Sequence, residues 1–180
     1  MPGRHNVENA LAAAAVALNL GISESGIKAA LESYKGVRRR FEYRIKSNDL
    51  VFVDDYAHHP VEIRALVETL RNLYPSRKIS GIFQPHLYSR TRDFAEGFAE
   101  SLSLLDEVIL LDIYPAREKP IKGVSAELIF DRITQDNKHL VGREKILDRV
   151  RKSDFEVLAT IGAGDIDRLV EPIEKILRKR

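Results

Sequence analysis

Residues 50–73 read LVFVDDYAHHPVEIRALVETLRNL, and the pattern changes twice within that stretch. Leu50-Val51-Phe52-Val53 is a short apolar run of β-branched and aromatic side chains, as a buried strand requires. Pro60 suits the first position of a helix, where its missing N–H has no partner to lose. From there Ile63, Leu66, Val67, Leu70 and Leu73 recur on one helical face, and Pro75 ends the run. Between strand and helix stand Asp54-Asp55-Tyr56-Ala57-His58-His59, polar and proton-active. A strand that passes through such a turn into an amphipathic helix is the opening of a β-α-β unit.

Toward the C-terminus the unit recurs. A strand is expected at about 78–83, then a helix carrying Phe94, Phe98, Leu102 and Leu105, then a buried strand from Val108 to Ile113. Ser125 can cap a short helix, a weak strand lies near His139-Leu140-Val141, and a helix follows at about 143–151. Val157 to Ile161 is the last strand, and Ile166, Leu169, Val170, Ile173, Ile176 and Leu177 form the stripe of a final helix. Apolar strands without alternation, separated by amphipathic helices, predict an α/β fold. Its sheet is mostly parallel and Rossmann-like, with helices on both faces and right-handed crossovers.

Toward the N-terminus the period shortens. Phe41, Tyr43 and Ile45 alternate with Glu42, Arg44 and Lys46, and the turn Ser47-Asn48-Asp49 joins this strand to Leu50–Val53 as a hairpin. Ahead of it, residues 5–19 are rich in alanine and leucine and favour helix. Ser23 is a good N-cap for a second helix, Ile22 and Ile27 stand at hydrophobic-staple positions, and Gly36 suits the left-handed residue that ends it. The chain therefore divides into an all-helical lead-in over 1–36 and an α/β domain over 37–180.

The 180 residues are 44% hydrophobic and 31% charged, enough for a packed core, and the longest apolar runs fall short of a membrane span. The N-terminal stretch lacks the pattern of a signal peptide. Cysteine is absent, which excludes disulfides, thiolate nucleophiles and cysteine-ligated zinc, and fits a reducing, cytoplasmic setting. A net charge of +2, with basic runs at Arg38-Arg39-Arg40 and Arg178-Lys179-Arg180 diluted by acids elsewhere, disfavours nucleic acid as a partner.

The chemistry collects after the strands. Asp54–Pro60 follows Val53, Gln84-Pro85-His86-Leu87-Tyr88-Ser89-Arg90-Thr91 follows Phe83, Tyr114–Pro120 follows Ile113, and Gly162-Ala163-Gly164-Asp165 follows Ile161. In a parallel sheet all four emerge at the carboxyl edge, where open α/β sheets bind ligands. Linkers to the other edge, such as Pro75-Ser76-Arg77-Lys78, are plain. Asp54 and His59 can equally be caps of the strand end and the helix, and Arg38–Arg40 can be a solvated charge run. Adjacent His58 and His59 suit one metal poorly, so no metal site is expected. The Gly162–Asp165 turn lacks the third glycine of a dinucleotide loop, and no Gly-Lys-Ser/Thr phosphate loop occurs in the chain. His5 and Asn9 stand four apart on one helical face with Asn6 beside them, and asparagine, which weakens an alanine-rich helix, invites either a capping or a ligand-binding reason.

Taken in order, these segments resemble the Mur ligase family, and within it the alanine-adding member. Gly3–Ala12 is similar to the end of the family's central ATPase domain, Gly36–Glu42 to its junction with the C-terminal domain, and the Asp54, Gln84 and Tyr114 segments to that domain's rim. The resemblance implies a C-terminal portion of an ATP-dependent ligase that adds L-alanine to UDP-N-acetylmuramate through an acyl phosphate. It implies that His5, Asn6 and Asn9 sit by adenine, that Arg40 aided by Arg39 reaches the ATP phosphates, and that Asp55 holds the ribose. It further implies that Tyr56, His58, His86 and Arg90 line the alanine site, with Arg90 pairing the carboxylate. Leu87 stands where some relatives carry a second arginine. The phosphate loop, the UDP-sugar domain and most ligands of Mg²⁺ are expected upstream of residue 1, so these residues alone are expected to show no turnover. Two readings stay open beside this one: a murein tripeptide-recycling ligase of the same family, and a non-catalytic nucleotide-binding module. Oligomeric state is not legible.

Overall fold

The computed structural model describes residues 2–179, and the side chains of these other than Arg4 and His5. Two helices come first, α1 (Arg4–Asn19) and α2 (Glu24–Ser33). The Ser23 hydroxyl accepts from the Gly26 amide (3.2 Å), the expected cap. Gly36 is left-handed as expected (φ 87°), but α2 already ends at Ser33. Apolar side chains of α1 stay in water; Leu11 is 66% exposed and Val16 60%.

The α/β part contains β1 (Glu42–Lys46), β2 (Val51–Asp55), α3 (Pro60–Leu73), β3 (Ile79–Phe83), α4 (Tyr88–Leu102), β4 (Glu107–Leu110), α5 (Glu127–Phe130), β5 (Lys138–Leu140), a 3₁₀ turn (Arg143–Lys145), α6 (Ile146–Lys152), β6 (Val157–Ile161) and α7 (Asp167–Leu177). One six-stranded sheet runs in the order β1-β2-β6-β3-β4-β5. Only the β1–β2 hairpin is antiparallel; the remaining pairs are parallel.

Each central strand divides its side chains between two cores, which explains the unbroken apolar runs. Val51, Val53, Ile79, Phe83, Val157 and Ile161 pack with Leu66, Leu70, Phe98 and Leu102 of α3 and α4. Phe52, Ile82, Ile109 and Leu158 pack with Val150, Val170 and Ile173 of α6 and α7 on the opposite face. Burying a side chain of this size contributes roughly 1.5–3 kcal/mol. At Gly81 a Cβ would stand 2.5 Å from Leu105 Cδ1, so any larger residue would push the Leu105 side chain from its place over β3.

Four expectations need correction, the first being Ser125, since the N-cap of α5 is Ala126 and no side chain caps it. Phe41 and Tyr43 pack into the α3/α4 core while Ile45 packs into the α6/α7 core, because a bulge between Tyr43 and Ile45 shifts the pairing. Phe94 is 40% exposed, at a non-helical kink of α4 (φ −123°, ψ 19°), and Leu105 lies beyond that helix. Strand β4 ends at Leu110 rather than at Ile113.

Candidate functional site

The register of the parallel strands brings their ends level: Ile161 pairs with both Asp55 and Phe83, and Phe83 with Leu110. Backbone bonds continue past the strands. Gly162 N donates to Asp55 O (3.1 Å), Gln84 N to Ile161 O (3.1 Å), and Leu111 N to Phe83 O (2.9 Å). The four polar segments thus lie side by side along the carboxyl edge. A fifth joins them after β5: Arg143 lies 3.3 Å from Asp165 Oδ2 through Nε and donates to the Asp165 carbonyl (3.2 Å). The three-residue strand before it is too short to announce that Arg143 belongs to this rim.

Asp54 and Asp55 end the buried strand β2, and each is used internally. Asp55 Oδ2 accepts from Phe41 N and Oδ1 from Ala57 N, both at 2.8 Å, so one carboxylate clamps the junction and the rim loop together. Asp54 accepts from Arg39 Nε (3.0 Å) and Thr160 Oγ1 (2.7 Å). Burial pushes both carboxyls above the usual Asp range, opposed at Asp54 by Thr160 and Arg39 and at Asp55 by the Phe41 and Ala57 amides.

Of the arginine run, Arg39 is turned inward. Its Nη2 donates to Gly162 O (2.6 Å), and its side chain is 16% exposed. Arg40 is 45% exposed and lies 3.8 Å from Glu62 Oε1. Both guanidinium carbons stand over the Tyr56 ring, at 5.2 and 5.4 Å from its centroid. From Tyr56 an aromatic series crosses the rim: His58 at 5.1 Å, His86 6.3 Å from His58, and Tyr114 stacked on His86 at 5.8 Å. Arg90 Nη1 reaches His86 Nδ1 at 3.5 Å. Tyr56, His58, His86 and Arg90, expected together, are brought together.

The paired histidines part company. His58 Nδ1 donates to the Tyr56 carbonyl (2.9 Å) and lies 3.3 Å from Glu62, while the His59 ring packs edge-on to Phe94 at 4.8 Å. Glu62 accepts from the amides of His58 (2.9 Å) and His59 (3.2 Å), which seals the start of α3. Burial, with help from Arg90 and His58, pushes His86 below the usual imidazole value and keeps it neutral at pH 7.

Gln84 ties two of the rim segments together. Its amide donates to Asp165 Oδ1 (2.8 Å), and its carbonyl accepts from Ile166 N (2.8 Å), locking the glycine turn. A Cβ on Gly164 would stand 2.6 Å from Gln84 Oε1 and 2.8 Å from Tyr114 Cβ, so the turn needs glycine here for close approach. Positive φ at non-glycine residues occurs at Arg39, Phe41, Leu87 and Ala116, all at the junction or in rim loops. Such strain persists where surrounding contacts over-determine it.

Among the described residues the rim contacts do not include Asn6 or Asn9. Asn6 donates to Pro2 O (2.6 Å), and Asn9 is exposed on α1. The His5 side chain lies outside the described residues.

Residues 39–165 match the family described as Mur ligase, glutamate ligase domain. The chain is 51% identical over 179 residues to the UDP-N-acetylmuramate–L-alanine ligase of Flavobacterium johnsoniae, covering 99% of this chain and 40% of that protein. The structure of a UDP-N-acetylmuramate–alanine ligase from Thermotoga maritima superposes with TM-score 0.77 at 32% identity, covering 99% of this chain and 38% of that one. A murein peptide ligase from Psychrobacter arcticus shares the fold with TM-score 0.70 at 23% identity, over 98% and 38% of the respective chains. The chain spans about 40% of the length of the curated relatives it matches.

Proposed function

The chain belongs to the Mur ligase family, and from that membership we propose that it is the C-terminal portion of an ATP-dependent ligase joining L-alanine to UDP-N-acetylmuramate. Residues 1–36 then end the central ATP-binding domain, and 37–180 form the C-terminal domain that brings the amino acid. What carries the alanine-adding reading is 51% identity through 99% of the chain with a ligase of that activity. The murein tripeptide ligase is the weaker reading, since the likeness there is one of fold.

In this proposal Arg90 pairs the alanine carboxylate, a bidentate geometry that guanidinium suits. Tyr56, His58 and His86 enclose the rest of the amino acid, and the neutral ring of His86 avoids repelling its ammonium. Arg40, the more exposed of the two guanidinium groups over Tyr56, reaches the ATP phosphates, with Arg39 positioning the junction through Asp54 and Gly162. Asn6 and Asn9, with His5, lie toward adenine. Asp55 supports the ribose side chiefly by holding the loop at residues 56–58. The muramate carboxylate attacks the γ-phosphorus of ATP and ADP leaves. The alanine ammonium then gives up a proton, the free amine attacks the acyl carbon, inorganic phosphate departs, and the new amide nitrogen loses a second proton. Such chemistry depends on positioning and charge neutralisation. Mg²⁺ is assigned mainly to other parts of the ligase, as the family membership implies. No described helix is long and apolar enough to cross a membrane, and nucleotide substrates support a cytoplasmic setting.

The test is phosphate release by the full-length ligase given ATP, UDP-N-acetylmuramate and single amino acids. Release dependent on L-alanine is expected, and none is expected from residues 1–180 alone. Preference for a murein tripeptide over alanine would overturn the assignment.

A further inference from the structure

Helix α4, which carries Arg90, begins without a cap of its own. Leu87 at the N-cap has no side-chain acceptor to offer and is held at φ 72°. The acceptor comes from the β4–α5 loop. Glu118 Oε2 accepts from Ser89 N (2.9 Å), and Ser89 Oγ donates to Glu118 Oε1 (2.5 Å). We propose that Glu118 is a positioning residue: it sets the first turn of α4 from across the rim and so aims Arg90 at the amino-acid carboxylate. The inference rests on the amino-acid site proposed above.

The same loop grips the residue on the other side of Leu87. Tyr114 N donates to Pro85 O (2.8 Å) and Leu87 N to Tyr114 O (3.0 Å), a parallel bridge that pairs His86 with Tyr114 beneath their stacked rings. Glu118 N closes a turn onto Pro115 O (2.9 Å), with Ala116 left-handed at φ 51°. His86 and the first turn of α4 at Ser89 are therefore held by one short segment, Tyr114–Glu118, and a left-handed residue stands on each side of this contact, Leu87 before α4 and Ala116 in the segment. A carboxylate at this end of a 15-residue helix complements its dipole and occupies first-turn amides. An incoming amino-acid carboxylate then finds the Arg90 guanidinium rather than open backbone donors. The Ser89 hydroxyl and amide hold the Glu118 carboxyl below the usual range, as a carboxylate accepting two hydrogen bonds should be.

The experiment uses the full-length ligase. Glu118→Ala is expected to raise the KM for alanine about tenfold, since small misplacements of a positioning group cost one to two decades, while the KM for ATP stays within about twofold. Adding Ser89→Ala to Glu118→Ala is expected to change the alanine KM no further, because the two act through one contact. Glu118→Gln, which keeps one acceptor oxygen, is expected to recover part of the loss. A Glu118→Ala enzyme with lowered melting temperature but an unchanged alanine KM, or with both KM values raised alike, would overturn the inference. Wild-type enzyme lacking alanine-dependent phosphate release would instead overturn the amino-acid site, and this inference with it.

Discussion

Replacing Asp55 separates two accounts of that carboxylate. If its oxygens stand free for a ligand, the unliganded chain should scarcely notice their loss. The structure has both oxygens accepting backbone N–H groups, from Phe41 and Ala57 at 2.8 Å each, and those residues are 6% and 1% exposed. Asp55→Ala would orphan two buried amides, at about 1–3 kcal/mol each. Removing a carboxylate whose burial already opposes ionisation returns part of that cost. A net loss of about 3 kcal/mol follows, near 6–12 °C in melting temperature for a chain of this size. Asp55→Asn should be nearly as harmful, because its one oxygen satisfies one amide while its NH₂ group confronts the other. The assay is thermal and urea unfolding of residues 1–180 at pH 7, followed by circular dichroism. An alanine variant within about 0.5 kcal/mol of wild type, or an asparagine variant indistinguishable from it, would refute the clamp.

Other outcomes follow from single sites. Leu87→Gly should be more stable than Leu87→Ala by about 1 kcal/mol, since only glycine takes φ 72° without strain; urea midpoints decide. Burial opposes the charge on Glu107, but Lys78, Ser80 and Arg149 outweigh it and hold the carboxyl below the usual range. The folded value is therefore the lower one, so this stabilisation is present above the unfolded value of about 4.3 and is lost as pH falls through the folded value. Glu107→Gln should be less stable at pH 7 and show a flatter acid limb below about pH 4.3. Burial and then Arg90 depress His86, so its Cε1 proton should titrate below 6.5, and Arg90→Ala should move the midpoint back toward that value; an NMR titration with an unmoved midpoint would deny the Arg90 contribution.

Much of the sheet was legible because β2, β3 and β6 are buried on both faces, and a strand so placed has no polar alternation to confuse with a helix. Their polar sequels were equally plain, which is why Tyr56, His58, His86 and Arg90 could be expected along one rim. What escaped depends on distant partners. Nothing local marks Arg39 rather than Arg40 as the arginine that turns inward; Asp54 and Gly162 decide it, across the sheet. Nothing local marks Asp55 as the clamp between junction and rim loop; its bond to Phe41 comes from 14 residues away. The bulge that sends Ile45 to the opposite core leaves the alternation of Phe41, Tyr43 and Ile45 intact in sequence. Arg143 was hidden by an edge strand of three residues, half exposed, with little apolar signal to give.

Arg90→Ala in the full-length ligase is the most direct test that this rim receives the amino acid. The guanidinium lies beside His86 and, in this account, pairs the alanine carboxylate, a charge-assisted contact whose loss costs about 1.5–3 kcal/mol. The KM for alanine should rise on the order of tenfold to a hundredfold, with the KM for ATP nearly unchanged. Equal increases for both substrates, or no change for alanine, would contradict it.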